Sequence, residues 1–449
     1  MPAISLKKSV LATACAALVC ASGSASAISL MQAYQAALQN DPLHRGAKAE
    51  QLAGRQFEVM GRAGLLPQVQ YSYSTSKNKG ESISPTILGG FRTQDLDYTS
   101  LTRNVSVRQT LYSMDAYARF EQGVTQTQLS DVQFDAKSKD LILRVTNAYI
   151  EAKFAEDQFN LYSAQRDAYA EQRRVNDRMF QKGEGTKTDM LETQAKLDVA
   201  EALVLESADN MQTTRNTLAG MLGQEVKQLD RLRDGISVSG LLQGTQEDWI
   251  ATAEKNSQEI VAAQLNVDLS EKEITKAKAG HMPRLDLNAS YNRGQSDSIT
   301  TQSQDNSTRT IGVQLVIPIY SGGYTNAAYK QAVARKDKAI SELDAARSKT
   351  LVELKRQFGL VRSSQSKIEA FEKSVASATL LVEATKQSIK GGMRINLDLL
   401  NAEQALVNVK KDLAQARYGY LMSFLKLKAV AGVVNATDLQ TVAGLFSAE

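Results

Sequence analysis

Apolar residues recur every seventh position along the proline-free stretch 324–390. Val333, Ile340, Leu354, Val361, Ile368, Val375, Val382 and Ile389 fall in one series, interrupted only by Arg347. Such a repeat is a coiled-coil seam, and on a 3.6-residue helix it implies left-handed winding around neighbouring helices. The stretch spans 67 residues, and at about 1.5 Å per residue it is roughly 100 Å long, too long for a compact domain. A second proline-free helical pattern runs from about Met114 to Gln181, and a further helix runs from about Asp189 to Gly223.

Elsewhere the period drops to two. Val69, Tyr71 and Tyr73 alternate with Gln68, Gln70, Ser72 and Ser74, and Val105 and Val107 alternate with Asn104, Ser106 and Arg108. These predict two strands joined by a long polar loop over about 77–102. A cleaner pair follows, Leu285, Leu287, Ala289 and Tyr291 on one strand, with Ile311, Val313, Leu315, Ile317 and Ile319 on its return. Ahead of the first pair, a helix over Leu30 to Leu38 and a second over Leu43 to Leu65 are predicted, with Pro42 in the first turn of the latter.

The plan occurs twice. Asn40 and Pro67 recur as Asn256 and Pro283 at an offset of 216, whereas Gly183, Asp189, Leu218 and Gly223 recur as Gly392, Asp398, Leu427 and Gly432 at 209. The seven-residue difference makes the first hairpin longer. The predicted organisation is therefore a signal segment (1–27), a first repeat (28–223; hairpin about 68–111, turn 183–188), a link (224–247), a second repeat (248–432; hairpin about 284–319, turn 391–396) and a C-terminal tail (433–449).

Composition narrows the function. Lys7 and Lys8, the apolar run Val10 to Val19 and Ala25-Ser26-Ala27 read as a secretory signal peptide, with lipidation at Cys15 or Cys20 as a minor rival. Both cysteines lie within it, so the mature chain has no disulfide, thiolate site or cysteine nucleophile. His44 and His281 stand singly beside prolines, so no catalytic or metal constellation is expected. Without the signal, 51 basic residues face 49 acidic ones, which argues against nucleic-acid binding. No phosphate-binding G-x-x-x-x-G-K-[ST] loop is present, and neither an enzyme nor a cofactor is expected.

The mature chain holds no uncharged apolar run of about 18 residues, so it can cross a membrane only with strands. Each strand has one apolar face and the length of a tilted membrane-spanning strand. Four strands cannot close a barrel, and lipid does not tolerate open edges, so copies must associate; three would supply twelve strands. The prediction is an α+β membrane protein, in which long antiparallel coiled-coil helices hang from one face of a shared β-barrel. A structural or adhesive coiled-coil protein is the competing class, and it leaves the two amphipathic hairpins unexplained.

Several segments carry a family likeness. Leu30-Met31-Gln32-Ala33-Tyr34-Gln35-Ala36-Ala37, Gly64-Leu65-Leu66-Pro67, His281 to Leu287, Pro318-Ile319-Tyr320-Ser321-Gly322-Gly323 and Lys411 to Tyr418 together resemble the TolC family of outer-membrane channels. The resemblance implies a homotrimer with an outer-membrane β-barrel and a periplasmic α-barrel in a Gram-negative bacterium. It implies a periplasmic adaptor and an inner-membrane ABC transporter as partners, with type I protein secretion as the role and multidrug efflux as the alternative. It also implies a pore constriction at Asp398, with Asn401 where a second acidic ring is usual. A gate latch from Arg394 to Thr188 and Asp189 follows in the same way, with Ile389 where a latch tyrosine is usual. Capping is the competing role: Asn396 and Asp189 suit N-caps, Asp189 with Glu192 suits a capping box, and Asp398 suits a first helical turn.

Overall fold

The computed structural model describes residues 27–87, 89–233, 242–296 and 304–447. The expected signal peptide lies outside the described residues except for Ala27. Three helices open the chain, α1 (Leu30–Asn40), α2 (Pro42–Gly54) and α3 (Gln56–Ala63). The helix predicted from Leu43 to Leu65 is thus two, broken at Arg55. Pro42 is the first residue of α2, and the Asp41 carboxylate caps it by accepting the His44 amide at 2.7 Å.

Strands β1 (Gln68–Thr86) and β2 (Gly90–Ser113) lead into α4 (Met114–Gln181) and α5 (Lys187–Leu222). After a short strand β3 (Arg231–Leu232), the second half repeats the order with α6 (Gln246–Asn256), α7 (Gln258–Ala279), β4 (Arg284–Ser296), β5 (Gln304–Val316), α8 (Tyr324–Lys390) and α9 (Asn396–Val430). The chain closes with α10 (Ala436–Ala443) and β6 (Phe446–Ser447), which pairs with β3. The residues form two compact units. One holds 49–134 and 259–346, the other the remainder.

In the first unit the strands make one antiparallel sheet in the order β1-β2-β4-β5, so β1 and β5 are its edges. Where the sequence predicts a loop over 77–102, the two strands stay paired as far as Thr86 and Gly90. The extension is held by cross-strand polar pairs rather than by an apolar face. Lys77 and Lys79 approach Asp97 at 3.8 and 3.6 Å, and Asn78 donates to Ser100 at 3.1 Å. Gly89, at φ 78°, supplies the positive dihedral of the turn. β4 pairs with β2 only from Ser100 onward, so about ten residues of each strand of the first hairpin run past the four-stranded sheet. β5 ends at Val316, earlier than the predicted return strand carrying Ile317 and Ile319. Pro318 has no amide to continue the ladder.

The seam of α8 is also displaced at its start. Ala332, Ala339 and Leu343 are the buried apolar positions there, while Ile340 is exposed. From Leu354 the expected series holds, with Val361, Ile368 and Val382 buried. A straight helix drifts against a strict heptad.

The second unit has the main core. Leu30, Leu141, Tyr149, Leu218, Leu354, Tyr420, Leu425 and Phe446 are buried together, and Tyr149 meets Phe446 edge-on at 5.6 Å. Removing Leu218 or Leu425 would open a cavity costing about 2–5 kcal/mol. Polar anchors are built into this core. Arg144 pairs with the buried Asp41 at 2.9 Å, and the Tyr418 hydroxyl donates to Asp157 at 2.6 Å. Burial pushes the Asp157 carboxyl above its ordinary range, against the opposing pull of Tyr418 and Lys153. No helix among the described residues is long and apolar enough to cross a membrane.

Candidate functional site

The repeated turns α4–α5 and α8–α9 are built alike at their start. Just past α4 stands Gly183 at φ 78°, and just past α8 Gly392 at φ 73°. The Glu184 amide reaches the Met179 carbonyl at 2.9 Å, and the Met393 amide reaches Ser388 at 2.9 Å. Both are helix C-caps that place glycine in the left-handed region and satisfy carbonyls left over by the helix end.

The turns differ at the next helix start. Thr186 caps α5: its hydroxyl accepts the Asp189 amide at 3.1 Å and donates to the Asp189 carboxylate at 2.6 Å. Asp189 is therefore the third residue of a capping box headed by Thr186, rather than the N-cap with Glu192 as its partner. At the second turn the N-cap is Ile395, which makes no side-chain cap bond, and Asn396 is already helical. Asn396 is thus freed for another task.

That task is a buried polar clasp. Asn396 Nδ2 donates to Thr193 Oγ1 at 2.9 Å, and Asn176 Nδ2 donates to the same oxygen at 2.8 Å. Gln172 Nε2 donates to Asn396 Oδ1 at 2.8 Å and to Asn176 Oδ1 at 3.2 Å. The Thr193 hydroxyl passes its own proton to the Asp189 carbonyl at 2.8 Å. α4, α5 and α9 are stitched together by four uncharged side chains, three of them almost fully buried. Below the clasp, Val382, Leu399 and Ala402 form a small apolar core onto which Ile389 packs.

Asp398 lies half-buried in the first turn of α9, with Asn401 exposed one turn on. Arg394 and Thr188 are exposed and Asp189 is half-buried. Arg394 and Asp189 line one cavity of about 800 Å³, together with Glu383, Lys386, Lys390 and Met179 among others. Among the described residues the Asp189 carboxylate is engaged by Thr186, and no ion pair joins it to Arg394. Thr188 is absent from that cavity's lining. Among the described residues no group of His, Cys, Asp and Glu has the arrangement of a metal site.

The clasp residues escape a sequence reading because polar side chains on long helices ordinarily lie on solvated faces. The available signal is their spacing. Gln172 and Asn176 are four apart on α4, Thr193 lies in the second turn of α5 and Asn396 is the first residue of α9.

The chain matches the family model described as outer membrane efflux protein over residues 33–224 and 249–433, one segment in each repeat. It is 38% identical over 424 residues to the alkaline protease secretion protein AprF of Pseudomonas aeruginosa, covering 94% of this chain and 88% of that protein. It is 36% identical over 449 residues to the proteases secretion protein PrtF of Dickeya chrysanthemi, covering 98% and 95%. Among solved structures, the outer membrane protein VceC of Vibrio cholerae aligns with a TM-score of 0.72 over 90% of this chain and 96% of its own, at 19% identity, a likeness of fold.

Proposed function

This chain belongs to the outer membrane efflux protein family, and from that premise we propose that three copies assemble into the outer-membrane exit duct of a type I protein secretion system. The protein is an outer-membrane channel component of the TolC kind. An inner-membrane transporter and a periplasmic adaptor supply the cargo and the energy, and the duct itself carries out no chemistry.

The observation that carries the duct is the sheet. It has four strands, two unpaired edges at β1 and β5, and alternation that puts Leu285, Leu287, Val313 and Leu315 on one face and Asp286, Asn288 and Gln314 on the other. An edge strand in lipid must be paired, and joining β5 of one copy to β1 of the next closes a twelve-stranded barrel with the polar face inward. Secretion is favoured over drug efflux by the two relatives above 35% identity, both named for protease secretion.

The helical turns form the gate in this reading. Three Asp398 carboxylates converge on the axis as an acidic ring that attracts cations, and Asn401 one turn on adds no charge. Arg394 latches the turn from the side of the cavity it shares with Asp189, with Thr188 as a second acceptor. Deleting the gene and assaying the culture tests the function. Loss of extracellular protease with unchanged drug sensitivity, restored by the intact gene, is expected. Drug hypersensitivity with normal protease release would identify a multidrug efflux channel instead.

A further inference from the structure

The lipid-facing side of the sheet changes character at the end remote from the helices. Val107, Ala289 and Ile311 form one row across β2, β4 and β5, with Val69 beside them on β1. The next row outward is Tyr71, Val105, Tyr291 and Arg309, and the row after that begins Tyr73, Arg103, Arg293. The six residue steps from Leu285 to Tyr291 run about 20 Å along the strand, or about 15 Å of height at the usual barrel tilt, and Tyr71, Tyr73 and Tyr291 then stand together in two adjacent rows, as in the aromatic girdle that flanks the apolar band of an outer-membrane barrel. The arginines therefore lie at headgroup depth.

Their arrangement is electrostatically unbalanced. Arg103 stands directly opposite Arg293, a like-charge pairing that disfavours the sheet. Arg293 is held by Asp305 at 3.0 and 2.6 Å, and the Arg309 guanidinium lies 5.8 Å from the centre of the Tyr291 ring. Among the described residues Arg103 and Arg309 make no direct ion pair, although the Arg103 charge also acts on Asp305. Among the described residues of these rows, three guanidinium groups thus share one carboxylate, Asp305.

We propose that Arg103, Arg293 and Arg309 bind the phosphate group of an outer-leaflet lipid on the outside of the barrel. The inference rests on the reading of the sheet as part of an outer-membrane barrel with this face outward. Arginine suits the role because its planar fork takes phosphate oxygens in pairs. A lipid fits better than a free anion because the cluster continues straight into the apolar row of Val107, Ala289 and Ile311, which an acyl chain can cover.

The test is native mass spectrometry of the purified mature trimer titrated with diphosphoryl lipid A. Up to three adducts per trimer are expected, about tenfold weaker in the R103Q/R293Q variant and about threefold weaker in R309Q, while R103K/R293K falls between parent and R103Q/R293Q. Inorganic phosphate in large excess leaves the adducts in place. Equal binding by R103Q/R293Q, displacement by inorganic phosphate, or equal binding of a phosphate-free lipid would each overturn the proposal. Should the double variant fail to assemble, the single Arg103→Gln variant carries the test with the same expected direction. Planar-bilayer conductance separates the two readings. A conducting parent that takes no lipid A refutes this inference alone, and an assembled parent that never conducts refutes the duct.

Discussion

Asn396 donates its side-chain amide to the Thr193 hydroxyl at 2.9 Å, joining residues 203 positions apart in the sequence. The bond lies at the turns that the proposed gate would use, and it is buried, so its loss leaves polar atoms without partners. Asn396→Leu should cost about 1–3 kcal/mol and raise single-channel conductance, because the start of α9 loses its side-chain hydrogen bonds to Gln172 of α4 and Thr193 of α5. Thermal unfolding and bilayer recording check it, and a variant as stable and as tightly closed as the parent would remove the clasp from the account.

Arg394 shares a cavity with Asp189 but is not paired with it inside one chain. If it latches the turns of the assembled trimer, Arg394→Ser should raise conductance several-fold with little change in thermal stability, as befits an exposed side chain. Unchanged conductance would assign Asp189 to the Thr186 capping box alone.

Acid sensitivity follows from Asp41. Its burial alone would raise the carboxyl, but the Arg144 guanidinium and the His44 amide outweigh that and hold it below the ordinary range. A depressed carboxylate adds stability that is present above the unfolded value, near 4, and is lost as pH falls through the folded one. Between pH 5 and 3 the parent should lose more stability than Asp41→Asn, which is already weaker at pH 7 by about 2–3 kcal/mol. Parallel stability curves over that range would contradict the assignment.

The long first hairpin offers a control. Removing Asn78 to Tyr98, which pair with each other, and closing the gap with Asn-Gly leaves all of the β2–β4 ladder intact. Trimer assembly and conductance should be unchanged, and a failure to assemble would give the ribbon a structural role.

Much of this architecture is legible in the sequence because burial imposes periods. The alternation of Leu285 to Tyr291 and the heptads from Leu354 onward reflect an apolar face that must be covered, and the offsets of 216 and 209 expose the repeat. The ribbon over 76–99 is not legible in that way. Its strands are stabilised by Lys77, Lys79, Asp97 and Asn78 rather than by an apolar face, and such composition also describes a loop. The caps are Thr186 and Ile395, not the neighbouring Asp189 and Asn396 that the sequence favours, because each pair lies within one turn, where only backbone geometry identifies the first helical residue. The clasp is hidden for a third reason. Its members are uncharged polar residues whose partners lie on three helices, and no local pattern records such a network.

The most direct test of the duct is single-channel recording of the purified protein in a planar bilayer, for the parent and Asp398→Ala. The account predicts a small cation-selective conductance blocked by multivalent cations, with selectivity and block both weakened by the substitution. An assembled trimer that does not conduct, or selectivity that Asp398→Ala leaves untouched, would contradict a gated duct constricted at Asp398.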